Sequence, residues 1–162
     1  MADTTPEIVK LTKKDFDQIL SDIKEFWGSE RTLPFHHPIF LYEFGDTAYV
    51  IKAGGIVIAY LLGVLSQTAP VAYVHLIGVR TSHRRRGLGR RLYAHFIAYA
   101  RSQGCREVKA ITTPTNAESI AFHKSLGMVL QGNGIENGVP VVNDYSGPGQ
   151  HRVVFSSSLQ EE

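Results

Sequence analysis

The sequence predicts an α/β fold with a mixed, mostly antiparallel central sheet flanked by helices. Three observations carry that expectation. Two β-branched or apolar runs, residues 47–52 and 56–65, flank Ala53-Gly54-Gly55, the pattern of an antiparallel hairpin whose glycines supply positive φ. A third run, Val71–Val79, alternates and then passes through an arginine- and glycine-rich turn into a helical period. Beyond Gly104 the pattern continues as strand, helix and strand.

Taken in order, residues 7–11 (Glu-Ile-Val-Lys-Leu) alternate as a short strand, and Thr12 caps one amphipathic helix with Phe16, Ile19, Leu20, Ile23, Phe26 and Trp27 at helical spacing. Gly28–Pro38 is a polar loop broken by proline and carrying His36 and His37, and the apolar stretch Ile39–Phe44 follows it. After the hairpin and the Gln67–Pro70 turn, Val71–Val79 puts Tyr73, His75, Ile77 and Val79 on one face and Ala72, Val74, Leu76 and Gly78 on the other. From Gly87 to Gln103, Leu88, Leu92, Phe96, Tyr99 and Ala100 share one side of a helix that Gly104 ends. Residues 106–112 form a strand. Thr115 and Glu118 then read as a capping box opening a helix to Leu126, stopped by Gly127. Met128–Gln131 is a short strand. Gly132–Gln150, rich in Gly, Asn and Pro, is too long for an idle connector and is expected to lie over a site; Val153–Phe155 closes the fold.

Composition bounds the reading. A chain of 162 residues suits a single domain, 1–162, able to bury roughly 70% of its unfolded surface. With 43% hydrophobic and 20% charged residues, wholesale disorder is excluded. The longest nearly apolar run, Gly54–Leu65, falls short of the ~20 residues that span a bilayer. Met1–Lys10 carries Asp3, Pro6 and Glu7 where a signal peptide has a basic start and an apolar stretch, so a cytoplasmic address is expected. Cys105 is the only cysteine, which rules out an intramolecular disulfide and a thiolate zinc site; it reads as a core residue, and no metal is expected.

Charge is concentrated. Arg80, Arg84, Arg85, Arg86, Arg90 and Arg91 stand together with no acid among them, while eleven bases face fifteen acids elsewhere. A compact anionic ligand suits that distribution better than a spread polyanion. The segment His83–Arg91 joins a strand to a helix, yet it places arginines where a helix start favours caps and acids. A bound phosphate resolves the conflict, and Gly87 and Gly89 lack the Cβ that would hold it off the backbone. A tight turn with solvated arginines, or a nucleic-acid patch, is the alternative. The dinucleotide fingerprint fails because Leu92 stands where its third glycine belongs, and no P-loop pattern occurs.

Val79 followed by Arg84-x-x-Gly87-x-Gly89 resembles motif A of the GNAT superfamily of acyl-CoA-dependent N-acetyltransferases, Arg/Gln-x-x-Gly-x-Gly/Ala. Asn116-Ala-Glu-Ser119-Ile-Ala-Phe122-His123-Lys-Ser-Leu-Gly127-Met128 is similar to the family's later helix, commonly Asn-x-x-Ala-x-x-Phe-Tyr-x-x-x-Gly-Phe; Asn116, Ser119 and His123 fall on one helical face. The likeness runs from His75 to Met128, a third of the chain. Thr81, His83, Arg85 and Met128 depart from residues common in the family, and His123 stands where a tyrosine is usual.

The resemblance implies a GNAT-like sheet and direct transfer of an acetyl group from acetyl-CoA, a cosubstrate, to an amine. It assigns the cofactor to Ile77, Gly78, Val79, Arg84, Arg85, Arg86, Gly87, Leu88, Gly89, Arg90, Asn116, Ser119 and His123, with a strand N–H of Ile77 or Val79 meeting the oxyanion. An amine of pKa ~10.4 costs about 4.6 kcal/mol to deprotonate at pH 7, so a base is expected. His75 is the candidate, with packing as the alternative role, and Tyr73 on the same face as its assistant. His123 is the candidate donor to the leaving thiolate, expected to hydrogen-bond sulfur even when neutral. Glu30, Arg31, His36, His37, Asp144 and Tyr145 are candidate pocket residues, or ordinary surface. The expected partner is a small-molecule or peptide amine, with neither nucleic acid nor membrane expected and a homodimer left open. A non-catalytic acyl-CoA-sensing or nucleic-acid-binding module is the runner-up.

Overall fold

The computed structural model describes residues 6–160; the part of the N-terminal reading that rests on Asp3 lies outside them. Nine strands are present among those residues: β1 (Ile8–Lys10), β2 (Ala48–Ala53), β3 (Ile56–Leu65), β4 (Val71–Val79), β5 (Glu107–Thr112), β6 (Val129–Gln131), β7 (Gly134–Glu136), β8 (Val139–Val141) and β9 (Val153–Ser158). The helices are α1 (Lys13–Ser21), α2 (Ile23–Trp27), α3 (Ile39–Tyr42), α4 (Leu88–Ser102) and α5 (Ala117–Ser125). Seven strands are hydrogen-bonded in the order β1-β2-β3-β4-β5-β9-β6. The β1–β2, β2–β3, β5–β9 and β6–β9 pairs are antiparallel, and β4–β5 is parallel. This is the mixed, mostly antiparallel sheet the sequence predicts.

The chain divides into two compact units, Met1–Val64 with His75–Tyr99, and Leu65–Val74 with Ala100–Glu162. In the first, alternation along β2 sends Val50 toward a cluster with Phe16, Ile19, Ile23, Phe26 and Phe40 of α1 to α3, while Tyr49 points the other way onto His95 and Phe96 of α4. The period of two thus gives both faces of β2 a helical cover. Thr12 caps α1 through a reciprocal pair, Thr12 Oγ1 accepting from the Asp15 N–H and Asp15 accepting from the Thr12 N–H. Buried Asp15 also faces Lys52 at 3.3 Å.

The second unit holds the parallel ladder Val71–Val74 against Glu107–Ala110, and β9 lies between β5 and β6. Phe155, Val153 and Val154 of β9 are buried together with Val108, Ala110 and Ile120.

Three local expectations are corrected. The first helix is two, because Asp22 caps α1 at φ −101° and turns its carboxylate to Arg80 at 3.0 Å. The cap of α5 is Asn116, whose Oδ1 accepts the Ser119 N–H at 3.2 Å, rather than a Thr115–Glu118 box. Gly132–Gln150 is partly regular: β7 and β8 form a hairpin about Asn137-Gly138, both residues at positive φ as a type I′ turn requires.

Candidate functional site

The first unit carries the arginine turn. Thr81–His83 makes one 3₁₀ turn after β4, Arg85 takes φ +63° and Gly87 φ +74°, and α4 begins at Leu88. A left-handed arginine costs on the order of 1 kcal/mol that a glycine would not. The arginine cluster is not one patch. Arg80 donates to Val57 O (3.0 Å) and Asp22 (3.0 Å) and lies over the Phe26 ring. Arg84 donates to Val79 O (3.3 Å) and Phe26 O (2.8 Å), tying the turn to the end of α2. Arg91 donates to Pro6 O at 2.7 Å. Arg85, Arg86 and Arg90 are exposed.

The Arg91 N–H closes on Gly87 O at 3.0 Å, so the amides of Leu88, Gly89 and Arg90 belong to the helix start ahead of that bond. The first turn holds no acid. A Cβ built on Gly87 meets nothing within 4 Å. The positive helix end, three leading amides and exposed guanidinium groups form a cradle of donors of the kind that phosphate oxygens accept.

His75 lies on β4 of the same unit. Its ring stacks on Phe40 (4.6 Å between centroids, 16°), and Nε2 stands 2.9 Å from Phe35 O. A carbonyl accepts only, so Nε2 carries the proton and Nδ1 the basic lone pair. Burial lowers the imidazole pKa below its usual 6.5, partly opposed by the Phe35 bond. On the same strand Gly78 is buried against Tyr60: a Cβ there falls 2.8 Å from the Tyr60 ring.

His36, expected on the surface or lining a pocket, is 6% exposed and part of a directed hydrogen-bond chain. Its Nδ1–H donates to Thr32 O (2.8 Å), so Nε2 accepts from the Tyr60 hydroxyl (2.7 Å), which in turn accepts the Trp27 Nε1–H (2.7 Å). Burial depresses the His36 pKa and raises that of Tyr60, keeping both neutral. Sequence reasoning missed this chain because its partners are 24 and 33 residues apart.

In the second unit, His123 is 3% exposed and stacks on Phe155 (4.4 Å, 12°). Its Nδ1 lies 2.7 Å from Ser119 O and 3.2 Å from Ser119 Oγ. The proton of the neutral ring therefore points at the Ser119 carbonyl, and Nε2 is an acceptor. The expectation that a neutral His123 donates to sulfur is corrected: donation from Nε2 requires imidazolium, which burial disfavours. Tyr73, on the part of β4 in this unit, has its phenol pushed up to about 12 by burial.

The remaining candidates are spread out. Arg31 lies over the Trp27 ring at 5.8 Å, Glu30 stands 4.0 Å from Lys24, and His37 Nδ1 accepts the Ile39 N–H. Asp144 Oδ1 accepts the Gly149 N–H, and Tyr145 covers the Lys109 ammonium at 5.3 Å. Among the described residues, no three His, Cys, Asp or Glu side chains gather as a metal site would need.

A family model for the acetyltransferase (GNAT) family matches residues 13–128. Over 60 residues the chain is 35% identical to aminoglycoside N(6')-acetyltransferase type 1 of Salmonella typhimurium, covering 37% of this chain and 41% of that protein. The chain spans less than two thirds of the length of the curated relatives it matches. The ribosomal-protein-S18-alanine N-acetyltransferase of Escherichia coli shares the fold with a TM-score of 0.68 at 18% identity, over 98% of this chain and 96% of that one. Salmonella typhimurium yncA, solved with its cofactor acetyl-CoA, does so with a TM-score of 0.65 at 20% identity, over 98% and 96%.

Proposed function

The chain belongs to the acetyltransferase (GNAT) family, and on that premise we propose that it is an N-acetyltransferase moving an acetyl group from acetyl-CoA directly to an amine through a ternary complex. The observation that carries this reading is the start of α4, where the Leu88, Gly89 and Arg90 amides lead the helix beside exposed Arg85 and Arg86. Those groups hold the pyrophosphate, with Gly87 leaving room for it and Arg84 fastening the turn through Phe26 O. The thioester supplies the activated acyl group.

His75 then receives the amine proton at Nδ1, directly or through one water, while the Phe35 carbonyl holds Nε2–H. The Ile77 or Val79 N–H donates to the oxyanion on the acyl carbonyl, and Gly78 between them lets β4 pack against Tyr60. Tyr73, a neutral phenol, assists on the acceptor side. Asn116, Ser119 and His123 are assigned to the thiol end, with Asn116 and Ser119 setting the helix start and the His123 ring, and His123 donating only as imidazolium. The acceptor class is an amine of a small molecule or a peptide, and named relatives act on both kinds. We take 1–162 as one cytoplasmic acetyltransferase domain working without a metal.

Gly89→Val tests the cradle. A side chain in the first turn of α4 holds a phosphate off the amides, so calorimetry is expected to show acetyl-CoA binding weakened at least tenfold, about 1.4 kcal/mol, with the helical circular dichroism intact. Unchanged binding in the folded variant overturns the assignment, as does tight, salt-sensitive duplex DNA binding with none to acetyl-CoA. Thiol release from acetyl-CoA against an amine panel identifies the acceptor.

A further inference from the structure

At Nε2 the base assigned above gives its proton to the Phe35 carbonyl, and that carbonyl is held by a residue with no part in the chemistry. Phe35 O and the His36 N–H belong to one planar peptide unit and point in opposite directions. The His36 N–H donates to Leu33 O at 3.0 Å, which aims Phe35 O at His75 Nε2, 2.9 Å away. The His36 ring adds two side-chain bonds to that backbone hold. Thr32 O accepts both the Phe35 N–H (2.9 Å) and His36 Nδ1–H (2.8 Å), closing the Leu33–Phe35 turn, while His36 Nε2 fastens the turn to β3 through Tyr60. Tyr60 is in turn fixed by Trp27 and by its packing on Gly78.

We infer that His36 is a positioning residue for His75: by anchoring the Phe35–His36 peptide to Tyr60 it fixes His75 as the Nε2–H tautomer, with Nδ1 as the basic nitrogen. This rests on the reading of His75 as the base. Without the anchor the Phe35 carbonyl swings, both His75 tautomers populate, and part of the enzyme presents a protonated nitrogen to the amine. The effect falls on the chemical step and leaves the arginine turn alone.

His36→Phe keeps the ring volume and removes both nitrogens. With acetyl-CoA saturating, kcat is expected to fall about tenfold, about 1.4 kcal/mol, with KM for acetyl-CoA within twofold. Nitrogen-15 spectra of the His75 ring are expected to move from a single Nε2–H tautomer in the wild type to averaged shifts. Tyr60→Phe, which keeps the ring on Gly78 and loses only the hydroxyl, shifts both readouts the same way by less. A folded His36→Phe protein with an unchanged His75 tautomer and unchanged kcat overturns the inference. Should that variant not fold, an unchanged His75 tautomer in Tyr60→Phe does the same. His75→Ala separates the two readings: wild-type turnover there ends the role of His75 as base, and the tautomer spectra alone then decide whether His36 positions it.

Discussion

The strand bearing His75 and the helix bearing His123 treat an imidazole in the same way but turn it end for end. Each ring is stacked on a phenylalanine, Phe40 or Phe155, and each gives its proton to a backbone carbonyl. On β4 the donor is Nε2 and the carbonyl belongs to a loop 40 residues distant; on α5 it is Nδ1 and the carbonyl is one helical turn back. Which nitrogen keeps the lone pair, and not the residue type, separates the two proposed roles. On the proposed reading the ring fixed by a distant loop is the base, and its tautomer depends on tertiary structure. A ring fixed by its own helix is an acceptor wherever that helix forms, and it becomes a proton donor only when charged.

The widest separation between the two comes from removing each ring. His75→Ala is expected to lower kcat roughly 100-fold with acetyl-CoA affinity nearly intact in calorimetry; wild-type turnover returns the ring to a packing role. His123→Phe is expected to cost more in kcat at pH 5 than at pH 8, where no more than about twofold is lost, since only the imidazolium donates and burial holds the ring's pKa below 6.5. A pH-independent loss breaks the distinction.

Next in size is an effect common to both. Burial holds the pKa values of His36, His75 and His123 below 6.5, so the unfolded chain binds protons first as pH falls. The stability these rings contribute is complete above pH 6.5 and is lost below it, by at most ~1.4 kcal/mol per pH unit per ring. Denaturation midpoints in urea at pH 5, 6 and 7.5 measure it, and a flat profile contradicts neutral burial. The smallest effect is expected from Ser119→Ala, which removes the hydroxyl 3.2 Å from His123 Nδ1 but leaves the carbonyl at 2.7 Å. A change of kcat beyond about twofold shows the hydroxyl, and not the helix backbone, setting the ring.

Strand β4 was legible to the residue because Val71–Val79 alternates, and the ends of α4 and α5 were legible because Gly104 and Gly127 take positive φ. The arginine turn was legible because its charge contradicts a helix start. What local pattern hid was decided by distant partners. Asp22 breaks the first helix by facing Arg80, and His36, polar and set between Pro34 and Pro38, is buried because Tyr60 offers it a hydroxyl. The β7–β8 hairpin was hidden differently: Asn137-Gly138 announces a turn, but its flanking strands of three residues are too short to show a period. The hydrogen-bonded nitrogen of each histidine is a matter of atoms, beyond any residue pattern.

The parallel β4–β5 ladder sets an order in time. Antiparallel hairpins such as β2–β3 and β7–β8 close over turns of a few residues, on a scale of ~1–10 μs. Val71–Val74 meets Glu107–Ala110 only after the whole crossover through α4 has been threaded, and such non-local pairings raise the closure entropy that slows folding. Strand β4 meets its neighbour β3 across the short Ser66–Pro70 turn, whereas its first four residues, Val71–Val74, meet β5 only after that crossover. During refolding, helical ellipticity is expected to return ahead of hydrogen-exchange protection across the β4–β5 ladder.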